Sequence, residues 1–224
     1  MKITAKLSGS CMVKYSPEEV IPLEEGVQVP SLVQAITETF KVTQQDWPFD
    51  FPIPGGGLIP HLIFTNGQFT NNNKQVSVKQ IWLANNGITI QAQDTDEADI
   101  IADRLFSLLS DLKFRFENPD RKHFGIFIAQ FEHTFESLDK LAAIGNLING
   151  ALGRKQLVVK RLAFGSETAR MITQVTVDTV DEIDFVIERR NNQPFSTNRY
   201  YCAAPLRFQD HCKILEEIEK ILGS

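Results

Sequence analysis

Residues 76–112 read VSVKQIWLANNGITIQAQDTDEADIIADRLFSLLSDL, a hairpin that runs directly into an amphipathic helix. Asn86-Gly87 lies between two strand-like runs, Val76–Asn85 and Ile88–Gln93. Asn-Gly supplies the two positive-φ residues of a tight type I′ turn, a strong short-range hairpin signal. With Asn86 and Gly87 as loop residues, Ile81 and Leu83 share a sheet face with Ile88, Ile90 and Ala92, while Trp82, Thr89 and Gln91 point the other way. Ala98, Ile101, Leu105, Leu108 and Leu112 then recur at spacings of three and four, the stripe of a helix with one buried face. The carboxylates at Asp94, Asp96, Glu97 and Asp99 suit the start of that helix, with Asp94 or Thr95 capping exposed amides and the acidic side chains facing the positive dipole end. They do not suit a calcium loop, because Asp99 stands where such a loop needs glycine.

Working upstream, residues 2–15 alternate as a strand, with a break expected at Gly9. Pro30-Ser31 opens a helix with Leu32, Ala35, Ile36 and Phe40 on one stripe. The stretch Trp47–Gly57 is punctuated by Pro48, Pro52 and Pro54 and reads as an irregular loop pinned by its aromatics. Leu58–Thr65 is a strand candidate ended by Asn66-Gly67, and Asn71-Asn72-Asn73 is a polar loop.

Downstream, Lys113–Glu117 and Lys122–His133 flank Asn118-Pro119-Asp120 as a second hairpin. Ser137 is placed to cap a helix through Leu152 with Leu138, Leu141, Ala142, Gly145 and Ile148 inward. Strands are expected at Gln156–Phe164, Met171–Val180, Ile183–Arg189 and Arg199–Ala203. The closing helix, Leu206–Leu222, carries Phe208, Cys212, Leu215, Ile218 and Leu222 on one side and Lys213/Glu217 and Glu216/Lys220 pairs on the other.

Composition narrows the function classes. The 224 residues can bury a substantial core, and 42% hydrophobic with 23% charged is ordinary for a globular protein. A formal charge of −5 argues against a general binder of nucleic acid or anionic membrane. The balance is uneven, since Gly153–Arg207 holds nine basic residues against six acidic ones. Cys11, Cys202 and Cys212 are too few and too scattered for a disulfide framework. The N-terminus lacks the basic segment and apolar core of a signal peptide, and no apolar run reaches membrane-span length, so the reducing cytoplasm is the expected location.

Chemical templates fail one by one. Gly55-Gly56-Gly57 follows prolines and precedes a strand, the wrong context for a phosphate loop. His123 and His133 share a strand face but lie about 33 Å apart at roughly 3.3 Å per residue. Cys202, His211 and Cys212 match no zinc spacing, and Cys212 is assigned to the core stripe with His211 turned about 100° from it. Asp178, Asp181, Glu182 and Asp184 read as solvated turn residues. No metal, cofactor or catalytic residue is assigned.

Two candidate surfaces remain. Arg189, Arg199 and Arg207 with Tyr200 offer planar forks and an aromatic ring to a phosphate or carboxylate. Phe124, Phe127 and Phe131 make His123–His133 apolar on both faces, as in a central strand or a subunit contact. The pattern predicts an α+β fold, mainly antiparallel sheet with amphipathic helices packed on one face, as a single domain over 1–224. A sub-division near 117–155 into two pseudo-repeated β-rich halves, each closed by a helix, is the alternative, although residue identity between the halves is poor. The leading functional expectation is a non-enzymatic binding and assembly protein that self-associates as a dimer through Phe124, Phe127 and Phe131. A module for an anionic ligand, nucleotide or nucleic acid at Arg189, Arg199, Tyr200 and Arg207 comes second, and a cysteine-dependent enzyme using Cys202 and His211 third.

Overall fold

The computed structural model describes residues 1–14, 29–44, 51–52, 58–59, 62–84, 87–112, 120–133, 135, 140–153, 158–161, 172–176, 185–189 and 194–224. Twelve strands and four α-helices are described: β1 (Lys2–Lys14), α1 (Val29–Phe40), β2 (Thr43–Gln44), β3 (Phe51–Pro52), β4 (Leu58–Ile59), β5 (Leu62–Asn71), β6 (Lys74–Ala84), β7 (Gly87–Ala92), α2 (Thr95–Asp111), β8 (Arg121–Gln130), α3 (Leu141–Ala151), β9 (Val158–Arg161), β10 (Ile172–Thr176), β11 (Phe185–Arg189), β12 (Arg199–Ala204) and α4 (Phe208–Gly223). The fold is α+β, and every pairing whose register is described is antiparallel. No described helix is long and apolar enough to cross a membrane.

The chain forms two compact units, Gly9–His123 and Met1–Ser8 with Phe124–Ser224. In the first, the strands lie in the order β2-β5-β6-β7-β1. Ile36 and Phe40 of α1 and Ile101 and Leu105 of α2 bury against Val76, Val78, Ile81 and Ile90 of the sheet. In the second, the first half of β1 and then β8-β12-β11-β10-β9 follow one another. Phe127, Phe185, Tyr200 and Cys202 there share a core with Ile148 of α3 and Leu215 and Ile218 of α4. Both units run strand, helix, antiparallel strands, helix.

The opening hairpin forms with the expected faces but a different closing pair. Ala84 sits opposite Gly87, and Ile81 and Leu83 pair with Ile90 and Ile88. The residues between, 85 and 86, lie outside the described set. Moving a two-residue loop back by one position shifts each partner by two, so side-chain parity is unchanged. Gly87 is therefore a strand residue, and a Cβ there would stand 2.5 Å from the Val13 carbonyl oxygen of the neighbouring strand. Among the described residues, a two-residue turn with positive φ at both positions is Asn72-Asn73, with φ of 48° and 63°, closing β5 onto β6.

Two glycines expected as interruptions sit inside continuous strands. β5 does not end at Asn66-Gly67 but runs through it to Asn71. A Cβ on Gly67 would lie 2.1 Å from Val42 Cγ1, so the glycine admits the chain leaving α1. β1 likewise passes unbroken through Gly9, where a Cβ would meet the Asp94 carbonyl carbon at 2.0 Å and the Thr95 nitrogen at 2.1 Å. The start of α2 rests directly on the strand at that point. Asp94 caps the helix, its Oδ1 accepting from the Glu97 amide at 2.9 Å.

The remaining expectations are met in part where the residues are described, and Asp178, Asp181, Glu182 and Asp184 lie outside them. The Lys113–Glu117 arm of the second hairpin, the Ser137 cap and most of 47–57 fall outside the described residues; Phe51–Pro52 and Leu58–Ile59 pair with each other. In α3, Ile144 and Ile148 are buried while Ala142 is exposed. In α4 the buried stripe is His211, Leu215, Ile218 and Leu222, with Cys212 half-buried. That sequence of spacings, four, three and four, places His211 on the stripe and the expected Cys212 at its margin. The surface pairs of α4 also differ, being Lys213–Asp210 at 3.2 Å and Lys220–Glu217 at 2.5 Å.

Candidate functional site

The four anion-site residues divide between three places. Arg189 and Tyr200 stand opposite each other on β11 and β12 and are both buried. The guanidinium donates to Asn198 Oδ1 at 3.0 Å and to the Tyr200 hydroxyl at 2.9 Å, and lies over the Tyr200 ring. Asn198, at φ 47°, donates through Nδ2 to the carbonyls of Phe131 and His133. Arg189 and Tyr200 are thus committed to joining three segments of the second unit. Adjacent strand residues face opposite ways, so Arg199 projects from the other face. Arg207 is exposed just before α4. A ligand cannot meet all four without breaking this network.

The phenylalanines divide as well. Phe127 and Phe131 are core residues, Phe127 against Phe208 and His211 and Phe131 against Phe135 and Tyr200. Phe124 is half-buried on the opposite face of β8. Only Phe124 of the three is placed to touch a partner without opening the core.

Cys202 and His211 lack the geometry of a nucleophile and base. The Cys202 thiol is fully buried, donates weakly to the Tyr200 carbonyl at 3.8 Å, and is pushed well above the usual thiol range by burial. His211 is fully buried with neither ring nitrogen hydrogen-bonded, and burial pushes its pKa down to about 3. A protonated thiol and an unpartnered imidazole provide no activated nucleophile.

A convergence that no spacing template anticipates lies in the first unit. Cys11 of β1, Asp99 of α2 and His123 of β8 bring one sulfur, one carboxylate oxygen and one ring nitrogen within 4.8 Å of one another. His123 Nε2 is 2.9 Å from Asp99 Oδ1. Arg121, two residues back on the same strand face, reaches Asp99 Oδ1 at 3.4 Å and Asp103 Oδ1 at 2.6 Å. Cys11 and His123 are buried, Asp99 is partly buried and Asp103 is exposed, so the cluster opens toward Arg121 and Asp103. Its position follows from local structure: Gly9 lets α2 settle on β1, and the next turn of that helix sets Asp99 beside the cysteine two residues along the strand. The only sequence-level signals are a glycine inside a strand and a buried cysteine two residues on.

The other face of the same sheet has a different chemistry. Met12, Thr89, Trp82 and Ile63 align across β1, β7, β6 and β5, and Ser10, Gln91, Gln80 and Thr65 form the adjacent row. Trp82 is 39% exposed, one of two large apolar side chains so open among the described residues. α1 and α2 both bury into the opposite face. Residues 9–14, 62–71, 74–84 and 87–92 include no aspartate or glutamate. The chain matches no family model and no curated protein.

Proposed function

We propose that this chain is a non-enzymatic binding and assembly protein that pairs with a second copy of itself through the open sheet face of Gly9–His123. The observation that carries this reading is the Met12–Thr89–Trp82–Ile63 row, a half-exposed apolar and aromatic band bordered by Ser, Thr and Gln. Hydroxyl and amide side chains are each donor and acceptor, so these two rows complement their own copy, with the exposed Lys14 standing beyond them on the same face of β1. β5 and β6, of 10 and 11 residues, with the six-residue β7 and Gly9–Lys14 of β1 beside them, present on the order of 500 Å² at about 4.8 Å between strands, the lower size range of specific interfaces. Tryptophan supplies a large rigid anchor at such contacts.

Light scattering or sedimentation from low to high micromolar concentration is expected to approach twice the 25.3 kDa chain mass. Trp82→Glu is expected to return the single-chain mass with unchanged circular dichroism, because Trp82 lies outside the core. A wild-type mass of one chain across the range, or a variant that still dimerises, overturns the reading.

A further inference from the structure

We propose that Cys11, Asp99 and His123 form a binding site for one divalent transition-metal ion of the zinc class. Among the described residues this is where three metal-ligating groups converge, and the set is mixed: a thiol, an imidazole and a carboxylate. Sulfur and imidazole nitrogen favour zinc, cobalt or nickel over magnesium or calcium, which take oxygen donors. Zinc holds sulfur at about 2.3 Å and nitrogen or oxygen at about 2.0–2.2 Å, which puts tetrahedral ligand atoms roughly 3.4–3.7 Å apart. The observed limit of 4.8 Å therefore closes with side-chain adjustment of about 1 Å, and the His123–Asp99 separation of 2.9 Å needs only to open slightly.

The framework is rigid where the ligands need it to be. Cys11 and His123 stand on strands, and Asp99 stands in the second turn of a helix capped by Asp94 and seated on Gly9. Binding exchanges the thiol proton of Cys11, released to solvent, for the metal–sulfur bond, with His123 neutral and Asp99 ionised. Three protein ligands leave the fourth position of the ion on the side of Arg121 and Asp103, where a water or small anion can complete the set. Arg121 is the built-in competitor. Its guanidinium contacts the same Asp99 oxygen that His123 contacts, and Asp103 gives it a second anchor to which it can withdraw.

The test uses the full chain, stripped with chelator and titrated with Co²⁺. The expected result is saturation at one equivalent, with a thiolate-to-cobalt charge-transfer band and intense visible bands of four-coordinate cobalt, all bleached by one equivalent of Zn²⁺. Cys11→Ser is expected to remove the charge-transfer band, while Cys212→Ser keeps it. Because Cys11 is buried and its variant can fail to fold, Asp99→Asn and Arg121→Met supply the second arm. The first should weaken cobalt binding at least about tenfold, and the second should tighten it severalfold by removing the competing cation. Absence of the charge-transfer band in the wild-type protein, its persistence in a folded Cys11→Ser variant, or unaltered affinity in Asp99→Asn overturns the site.

Discussion

His211 occupies a position where a phenylalanine would serve. Its ring lies 4.4 Å from that of Phe127 and 5.1 Å from that of Phe185, and both nitrogens are buried without a hydrogen-bond partner. Burial lowers its pKa from 6.5 to about 3, so the folded chain holds it neutral while the unfolded chain protonates it. The stability that depends on this group is complete above about pH 6.5. It is lost as pH falls toward 3, by at most about 1.4 kcal/mol per pH unit. His211→Phe removes both the titration and the two unsatisfied nitrogens. Urea unfolding should show the variant about 1 kcal/mol more stable at pH 7, with the gap widening at pH 5. A gap that stays constant between the two pH values would mean that the buried ring does not stay neutral. The residue shows how far sequence reading reaches at this scale. The helical spacing that includes His211 is plain in the chain, but a stripe through Cys212 has nearly the same period, and only the aromatic surroundings show which of the two is buried.

At the scale of the element, the second helix is nearly complete in the sequence and its seat is not. Asp94, the acidic first turn and the Ala98–Leu105 stripe define where it starts and which face it buries, because caps and periodicity act between neighbours. What lets it approach β1 is the missing side chain of Gly9, more than eighty residues earlier in the chain. Gly9→Ala would drive a methyl group into the Asp94–Thr95 backbone, which cannot rotate aside as a flexible side chain can. Chemical denaturation should show a loss of about 3 kcal/mol, the upper part of the usual overpacking range. A loss below about 0.5 kcal/mol would mean that α2 does not rest on the strand. Gly87 shows the same reach: it pairs with both Ala84 and Lys14, and a Cβ there would meet the Val13 carbonyl oxygen of a strand more than seventy residues earlier.

At the scale of the whole molecule, β1 matters more than its alternating sequence suggests. Met1–Ser8 belongs with Phe124–Ser224, and Gly9–Lys14 belongs with the first unit. Within the second unit Thr4 donates to the Ile128 carbonyl, and Met1 and Ile3 pack against the core that includes Phe127 and Ile218. Deleting residues 1–8 should therefore expose the edge of β8. Hydrogen exchange is expected to accelerate by at least about tenfold at Phe124–Gln130 and to change little in β5, β6 and β7, whose ladders lie in the first unit. Unchanged protection across β8 would show that the strand does not need this neighbour. One face of the first sheet carries the Trp82 row proposed for self-pairing, and the opposite side gathers Cys11, Asp99 and His123.

Read alone, the chain determines its α+β class, the positions of its amphipathic helices, the face pattern of residues 81–92 and a helix cap at Asp94 or Thr95. Each of these is encoded in residues a few positions apart, through periodicity, turn chemistry and capping. The tertiary structure alone decides that Arg189 and Tyr200 close a buried network while Arg199 turns away, that Phe127 and Phe131 are core, and that a cysteine, an aspartate and a histidine from two strands and a helix meet. Those outcomes depend on strand order, register and the depth at which a helix seats. Such quantities are set by contacts between residues tens to more than a hundred positions apart, where no local period carries the signal.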